Sequence, residues 1–201
     1  MTSPAAGAHA LSLLQPAATD QASRETAVEA AMLERLVSGE VAALDAVLTR
    51  FWSPLLRYLI GLLGSREAAE DIAQETFFRL WQRRAMLRAE GSLRGFIYQV
   101  ARNLAISEQR RARVSERAAN AMSQGEIAVA YVELKEDHPE LERAIRALPE
   151  RRREILVLHS VHGLSYKEIA GLLGIAPQTV ANQFSSALAS LRQALLSKPM
   201  V

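Results

Sequence analysis

The stretch from Gly163 to Leu195 constrains the fold most, because it carries the start and stop signals of two consecutive helices. Ser165 and Glu168 have the spacing of a capping box, in which each side chain bonds to the other residue's backbone amide. Gly174 can adopt the left-handed conformation of a helix C-terminus, and Pro177 suits the first turn of a new helix. The sequence therefore predicts a short helix, a three-residue turn and a second helix.

The second of these helices is amphipathic. Its predicted buried stripe consists of Val180, Phe184, Ala187, Leu188, Leu191 and Leu195. The residues that point away from it are Gln178, Asn182, Ser185, Ser186, Ala189 and Gln193. In a DNA-binding helix-turn-helix the outward positions near the helix start enter the major groove, where Gln178 and Asn182 can bind adenine edges. An ordinary helical hairpin in a core carries the same signals, so the motif alone leaves both interpretations open.

Helix-forming residues dominate the composition and β-branched residues rarely run together, which predicts an all-α fold. Helical periodicity runs from about Val28 to Arg113, with interruptions at Ser38-Gly39, Ser53-Pro54, Gly64-Ser65 and Gly91-Ser92, and resumes from Leu141 to Leu196. We expect two small helical domains joined by a flexible linker, the second a helix-turn-helix (winged-helix-like) domain. The predicted divisions are a disordered tail 1–27, a helical domain 28–113, an acidic linker 114–140 and the helix-turn-helix domain 141–197.

The charges are sorted along the chain, although the formal net charge is only +2. The segment from Arg79 to Arg113 contains nine arginines and only two acidic residues, Glu90 and Glu108, which gives a local net charge of +7. Such a block is typical of a surface for a polyanion. The alternative is a solvated helix face, which usually mixes both signs.

The stretch from Ser65 to Trp81 places an aromatic residue on a polar face. Its predicted core stripe is Ala69, Ile72, Ala73, Thr76 and Leu80. The opposite side carries Glu67, Asp71, Gln74 and Phe78, with Glu75 at the margin. A docking surface for a partner protein would explain an exposed ring among carboxylates. The alternative is that Phe78 packs under a neighbouring loop.

The stretch from Leu93 to Arg113 combines rings and cations. The residues predicted to face inward are Leu93, Phe96, Ile97, Val100 and Leu104. Those predicted to face outward are Tyr98, Gln99, Arg102, Gln109, Arg110 and Arg113, with Asn103 at the edge. Arginines that follow phosphates and a ring that stacks on bases suit single-stranded nucleic acid. Alternatively, Tyr98 is a half-buried core residue with a hydrated hydroxyl.

Other classes of site find little support in the sequence. The chain has no cysteine, and His9, His138, His159 and His162 form no catalytic or metal-binding pattern. No glycine loop for phosphate and no apolar run of membrane-spanning length is present. We therefore expect no enzyme activity, no cofactor, no metal, no membrane insertion and a cytoplasmic location.

The order of these segments resembles a known family. The sequences DIAQETF at 71–77 and LRGFIYQVARNLA at 93–105 are similar to region 2 of the extracytoplasmic-function (ECF) sigma factors of the sigma-70 family. The block from LPER at 148–151 to Leu195, including LSYKEIA at 164–170, resembles their region 4. The resemblance implies a transcription initiation factor that binds core RNA polymerase and promoter DNA and is held by an anti-sigma factor.

The resemblance also implies three sets of site residues. Those expected to dock on the clamp helices of the polymerase β′ subunit are Asp71, Gln74, Glu75 and Phe78. Those expected at the single-stranded minus-ten element are Arg94, Tyr98, Arg102, Asn103 and Arg110. Those expected at the minus-thirty-five element are Gln178, Thr179, Asn182, Gln183 and Ser186. The helices from Leu141 to Ser160 would engage the β flap.

The recognition helix departs from the family pattern, which usually has several cations in its first half. Here the first cation is Arg192, so we expect weak DNA binding by the second domain and a dominant contribution from the Arg79 to Arg113 block. Two alternatives fit parts of the sequence. One is a free-standing helix-turn-helix regulator that binds duplex DNA, and the other is a sigma-like adaptor that has lost promoter binding.

Overall fold

The computed structural model describes residues 19–87, 92–116 and 139–196, and within them it shows eight α-helices and one short 3-10 helix. These residues fall into two compact units, 19–116 and 139–196. The all-α prediction is confirmed, and the described ranges contain no β-strand and hence no wing. The predicted tail before Thr19 and most of the predicted linker lie outside the described residues.

The first unit packs its helices around an aliphatic and aromatic core. Its elements are α1 Thr19–Val37, α2 Val41–Leu63, α3 Arg66–Gln82, the 3-10 helix Arg84–Met86 and α4 Leu93–Glu116. Helix α2 contacts α1, α3 and α4, and it supplies the fully buried Val47, Leu55 and Leu59. Burial of each such side chain contributes about 1.5–3 kcal/mol to the free energy of unfolding. Helix α2 therefore forms the centre of this unit.

Local signals set several helix ends in this unit. Gly64 ends α2 with φ of 70°, and its amide donates to the carbonyl of Ile60. Ser65 begins α3 by accepting a hydrogen bond from the amide of Ala68. Only glycine adopts such a positive φ without strain, so the Gly64-Ser65 break is explained by its residue types.

Helix α2 continues through Pro54, where the sequence predicted an interruption. Proline removes one backbone donor and usually kinks or breaks a helix interior. Here Phe51, Leu55 and Leu59, on either side of the proline, are all buried on one face of α2. We infer that their burial outweighs the lost hydrogen bond.

Helix α1 starts at Thr19, so the predicted boundary near Val28 and a disordered tail extending to residue 27 are wrong. The inward side of this helix carries a carboxylate: Glu29 is only 8% exposed. Glu29 and Glu25 form ion pairs with Arg50 on α2 and Arg94 on α4. An apolar pattern could not reveal this part of the helix because its contacts are ionic.

The second unit contains the predicted helix-turn-helix. Its helices are α5 Pro139–Arg146, α6 Glu150–Ser160, α7 Tyr166–Leu173 and α8 Pro177–Leu196. The capping box between Ser165 and Glu168 is present at the start of α7, and Gly174 ends that helix with φ of 65°. Helix α8 contacts α5, α6 and α7, so it is the central helix of this unit.

Candidate docking and nucleic-acid surfaces

Helix α3 presents the mixed polar and aromatic face that the sequence predicts. Asp71 and Gln74 are exposed, and Phe78 is 56% exposed. Glu75 is half-buried and accepts a 2.6 Å hydrogen bond from Arg79 Nε. The alternative that Phe78 packs under a loop is therefore wrong, and an aromatic ring stands in solvent beside carboxylates.

The opposite face of α3 fixes this orientation. Phe77 is 4% exposed and stacks on Trp52 of α2 with ring centroids 5.9 Å apart. The hydroxyl of the buried Thr76 donates to the Ile72 carbonyl over 2.7 Å. Because neighbouring helix positions differ by about 100°, burial of Phe77 directs Phe78 outward.

Helix α4 is rotated relative to the prediction, and Tyr98 faces the core. Its side chain is 1% exposed and packs against Tyr58 of α2, with ring centroids 5.3 Å apart. Burial raises the pKa of Tyr98 well above its ordinary value because the charged phenolate is poorly solvated there. The buried residues of α4 include Leu93, Ile97, Tyr98, Ala101 and Ala105. The prediction that Tyr98 offers an outward stacking surface is wrong.

The predicted inward stripe of α4 is accordingly only half right. Leu93 and Ile97 are buried, whereas Phe96, Val100 and Leu104 are half-buried at the margin. The two tyrosines fill the space between α2 and α4 with more apolar area than a valine or leucine would provide. Packing of Tyr98 against Tyr58 explains why the buried face of α4 is rotated relative to the predicted stripe.

Arg94 is held inside the first unit and is not presented as an outward cation. Its side chain is 17% exposed and forms an ion pair with Glu29 of α1. Its guanidinium also lies 5.6 Å from the centre of the Phe51 ring. Burial opposes the charge on Arg94, but the hydrogen bond and charge of Glu29 outweigh it and raise its pKa. Without disruption of this pair, Arg94 does not offer its charge to a phosphate.

Three of the predicted minus-ten residues stay on the accessible side of α4. Asn103 and Arg110 are exposed, and Arg102 is half-buried. Gln109, predicted to face outward, instead donates to the carbonyl of Leu62 at the end of α2 over 2.6 Å. The accessible polar face of α4 is therefore narrower than the sequence indicates.

The predicted recognition residues share one face of α8. Gln178, Thr179, Asn182 and Ser186 are exposed, and Gln183 is half-buried at the edge. The buried side is formed by Val180, Phe184, Ala187 and Leu191. The amide of Gln178 donates to Asn182 Oδ1 over 3.1 Å, so the two side chains together present both donors and acceptors.

Three consecutive arginines on α6 have three different partners. Arg151 pairs with Glu154 at 3.2 Å and donates to the Leu173 carbonyl at the end of α7. Arg153 donates to the Ile145, Arg146 and Leu148 carbonyls, which lie at and just beyond the end of α5. Arg152 Nε donates to Gln183 Oε1 of α8 over 3.1 Å. Sequence reasoning missed Arg152, because nothing in the run of arginines distinguishes it from its neighbours.

The histidine of α6 has a packing role. His159 Nδ1 lies 2.7 Å from the Leu164 carbonyl, and its ring centre lies 4.7 Å from those of Tyr166 and Phe184. Across the described ranges, no three side chains of metal-ligating type come together. Nor does any helix in those ranges have the length and apolar character to cross a membrane.

Comparisons with known proteins match both units. The family model for sigma-70 region 2 matches residues 48–114, and that for sigma-70 region 4 matches residues 138–191. The chain is 30% identical over 167 residues to the ECF RNA polymerase sigma factor SigL of Mycobacterium tuberculosis, which covers 79% of this chain and 94% of SigL.

A second relative is longer than this chain. The probable RNA polymerase sigma factor RfaY of Xanthomonas campestris is 30% identical over 175 residues, and the match covers 83% of this chain but 44% of RfaY. Among solved structures, the sigma factor RpoE of Bartonella quintana, in complex with the anti-sigma factor NepR, has the same fold. Its TM-score is 0.57 at 22% identity, over 78% of this chain and 98% of that one. The sequence matches show that the chain belongs to the ECF family of RNA polymerase sigma factors.

Proposed function

We propose that this sigma factor binds core RNA polymerase and directs it to specific promoters, with its first unit opening the minus-ten element and its second unit contacting the minus-thirty-five element. The observation that carries the proposal is the presence of region 2 and region 4 in order within one chain. The match to SigL, which covers 94% of SigL, supports the same role. The protein then acts as a specificity factor and not as an enzyme.

The proposed docking surface for the β′ clamp helices is the outward face of α3, formed by Asp71, Gln74, Glu75 and Phe78. An exposed ring of this size buries a large apolar area on binding, and aromatic residues are typical of interface hot spots. The neighbouring carboxylates would steer the encounter with a basic partner surface. The 56% exposure of Phe78 is the main support for this assignment.

The proposed minus-ten contacts are Arg102, Asn103 and Arg110 on the accessible face of α4. Arginine and amide side chains suit the phosphates and base edges of a separated strand. Arg94 and Tyr98 act differently in this proposal, since both are buried against other helices. They would set the position of α4 and make no DNA contact of their own.

The proposed minus-thirty-five surface is the exposed face of α8 that carries Gln178, Thr179, Asn182 and Ser186, with the half-buried Gln183 at its edge. A recognition helix of this motif places its N-terminal residues against base edges in the major groove. Helices α5 and α6 would engage the β flap. Among the described residues of this face no side chain is charged, so base contacts here are amide and hydroxyl contacts.

We further propose an anti-sigma factor as a regulatory partner and the cytoplasm as the compartment. The RpoE structure of the same fold contains an anti-sigma factor, which supports this class of partner. A free-standing helix-turn-helix regulator is not favoured, because it leaves the region 2 match and the exposed Phe78 without a role.

The test is transcription with purified core polymerase. Addition of the chain to core enzyme should produce transcripts that start at specific genomic positions, and core enzyme alone should not. Mapping the 5′ ends then gives the promoter sequence. Binding to core polymerase without any promoter opening would favour the adaptor alternative, and absence of core binding at every concentration would refute the proposal.

A further inference from the structure

The minus-thirty-five surface is neutral on its own helix, yet a cation from another helix reaches its edge. Helix α8 has no lysine or arginine before Arg192. Arg152 of α6 places its Nε 3.1 Å from Oε1 of Gln183, one of the residues of the proposed recognition face. The sequence separation is 31 residues, so only the packing of α6 against α8 brings this charge there.

Arg152 differs from the two arginines beside it. Arg151 has its charge offset by Glu154, and Arg153 is occupied by three backbone carbonyls. Within the described ranges Arg152 has one neutral partner and no carboxylate. A guanidinium carries five N–H donors, so four of them stay available to an anion.

The same bond changes what Gln183 can do. A glutamine reads adenine with its carbonyl oxygen and its amide nitrogen together. The carbonyl oxygen of Gln183 already accepts from Arg152, which uses one of its two lone pairs and turns this oxygen toward α6. Gln183 is half-buried, while the exposed Gln178 and Asn182 form a separate amide pair on the same face.

We propose that Arg152 is the DNA-phosphate contact of the second unit, and that Gln183 is a positioning residue that holds its guanidinium at the edge of the recognition face. The inference rests on the proposed function, because it assigns a contact within the minus-thirty-five surface. Arginine suits this role because its planar group can bond to a protein acceptor and a phosphate at the same time. The charge that α8 lacks is thus supplied by α6.

The experiment measures DNA affinity against salt for the full chain assembled with core polymerase, on duplex DNA of the mapped promoter. Each phosphate contact contributes about one unit to the slope of log affinity against log salt. Arg152→Gln should lower the slope by about one unit, so the affinity advantage of the wild type shrinks about threefold between about 50 and 200 mM salt. Arg152→Lys should keep the slope.

Arg192→Gln is the matched control, since it removes the same charge from an exposed position of α8. Arg192 lies ten residues beyond Asn182, about 15 Å along the helix axis. Its slope should equal that of the wild type. An unchanged slope for Arg152→Gln, or an equal fall for both variants, would overturn the proposal. Equal melting temperatures of the wild type, Arg152→Gln and Arg192→Gln exclude a folding defect as the cause of a lowered slope.

Gln183→Ala separates positioning from base reading. It should lower the affinity less than Arg152→Gln and keep both the salt slope and the base preference at the minus-thirty-five element. A changed base preference would show that Gln183 reads a base and would contradict its positioning role.

A second measurement distinguishes failure of the phosphate contact from failure of the proposed function. If the wild type yields no promoter complex with core polymerase, the proposed function fails. Arg152→Gln, Arg152→Lys and Arg192→Gln are then compared as isolated full-length chains on a labelled short duplex. A slope lowered only by Arg152→Gln would still support the phosphate contact, and equal slopes would refute it.

Discussion

The two helices proposed to contact DNA, α4 and α8, use their polar residues in opposite ways. On α4, the arginine and the aromatic ring that would suit phosphate and base contacts, Arg94 and Tyr98, are buried against other helices. On α8 the outward amides stay exposed, and a cation joins them from α6. A count of charges along the chain is therefore a poor measure of the charge on a surface.

The arginine block from Arg79 to Arg113 shows the size of this effect. Arg79, Arg94 and Arg111 each form an ion pair with a glutamate. Arg84 lies over the Trp81 ring at 4.1 Å and donates to its carbonyl. That the first unit contributes most of the DNA affinity stays a prediction. We expect its contribution to exceed that of the second unit by less than the local net charge of +7 indicates.

The largest expected effect concerns Tyr98. Tyr98→Ala should lower the free energy of unfolding of the first unit by about 3–5 kcal/mol, because it leaves a cavity beside Tyr58. Urea denaturation followed by tryptophan emission measures it selectively, since both tryptophans of the chain, Trp52 and Trp81, lie in this unit. Asn103→Ala, at an exposed position of the same helix, is the control. Unchanged stability with reduced DNA affinity would restore the outward stacking role.

The next effect concerns the ion pairs that hold Arg94. Glu29→Ala should destabilise the first unit by about 2–3 kcal/mol, because Arg50 and Arg94 both lose their main partner. The effect is somewhat smaller than that of breaking a fully buried pair. The same tryptophan-detected denaturation measures the change. Glu34→Ala removes an exposed carboxylate from the same helix and should have little effect. Equal stability of the two variants would show that the ionic cluster is not structural.

An effect of similar order is expected for Phe78, but on binding. Phe78→Ala should weaken core polymerase binding by about 2 kcal/mol, roughly 30-fold, and leave the melting temperature unchanged. Its neighbour Phe77 provides the contrast, since it is 4% exposed and Phe77→Ala should destabilise the unit. Titration of core enzyme with labelled protein measures the affinity. A large loss of stability in Phe78→Ala would contradict the docking assignment.

The smallest expected effect is on the helix-turn-helix. Ser165→Ala removes the capping box of α7 and should cost about 1 kcal/mol of stability in the second unit. Hydrogen exchange of the α7 amides reports it locally. Ser185→Ala, at an exposed position inside α8, should leave α7 exchange unchanged. Equal exchange rates in Ser165→Ala and the wild type would show that packing against α8 alone fixes this helix.

Features that depend on residues close together in the chain could be predicted from the sequence. The capping box at Ser165, the left-handed Gly174 and the buried stripe of α3 are all observed as predicted, because each depends on residues within a few turns of one helix. The exposed face of α3 and that of α8 follow from the same periodicity. The family assignment also came from local motifs in a fixed order.

The buried face of α4 and the neutralised charges depend instead on contacts between segments that are distant in the chain. The bond between Arg94 and Glu29 spans 65 residues, and that between Arg152 and Gln183 spans 31. A tyrosine or an arginine has an apolar part and a polar end, so either side of a helix can accommodate it. The choice depends on the neighbouring helix, and periodicity along one chain segment contains no information about that neighbour.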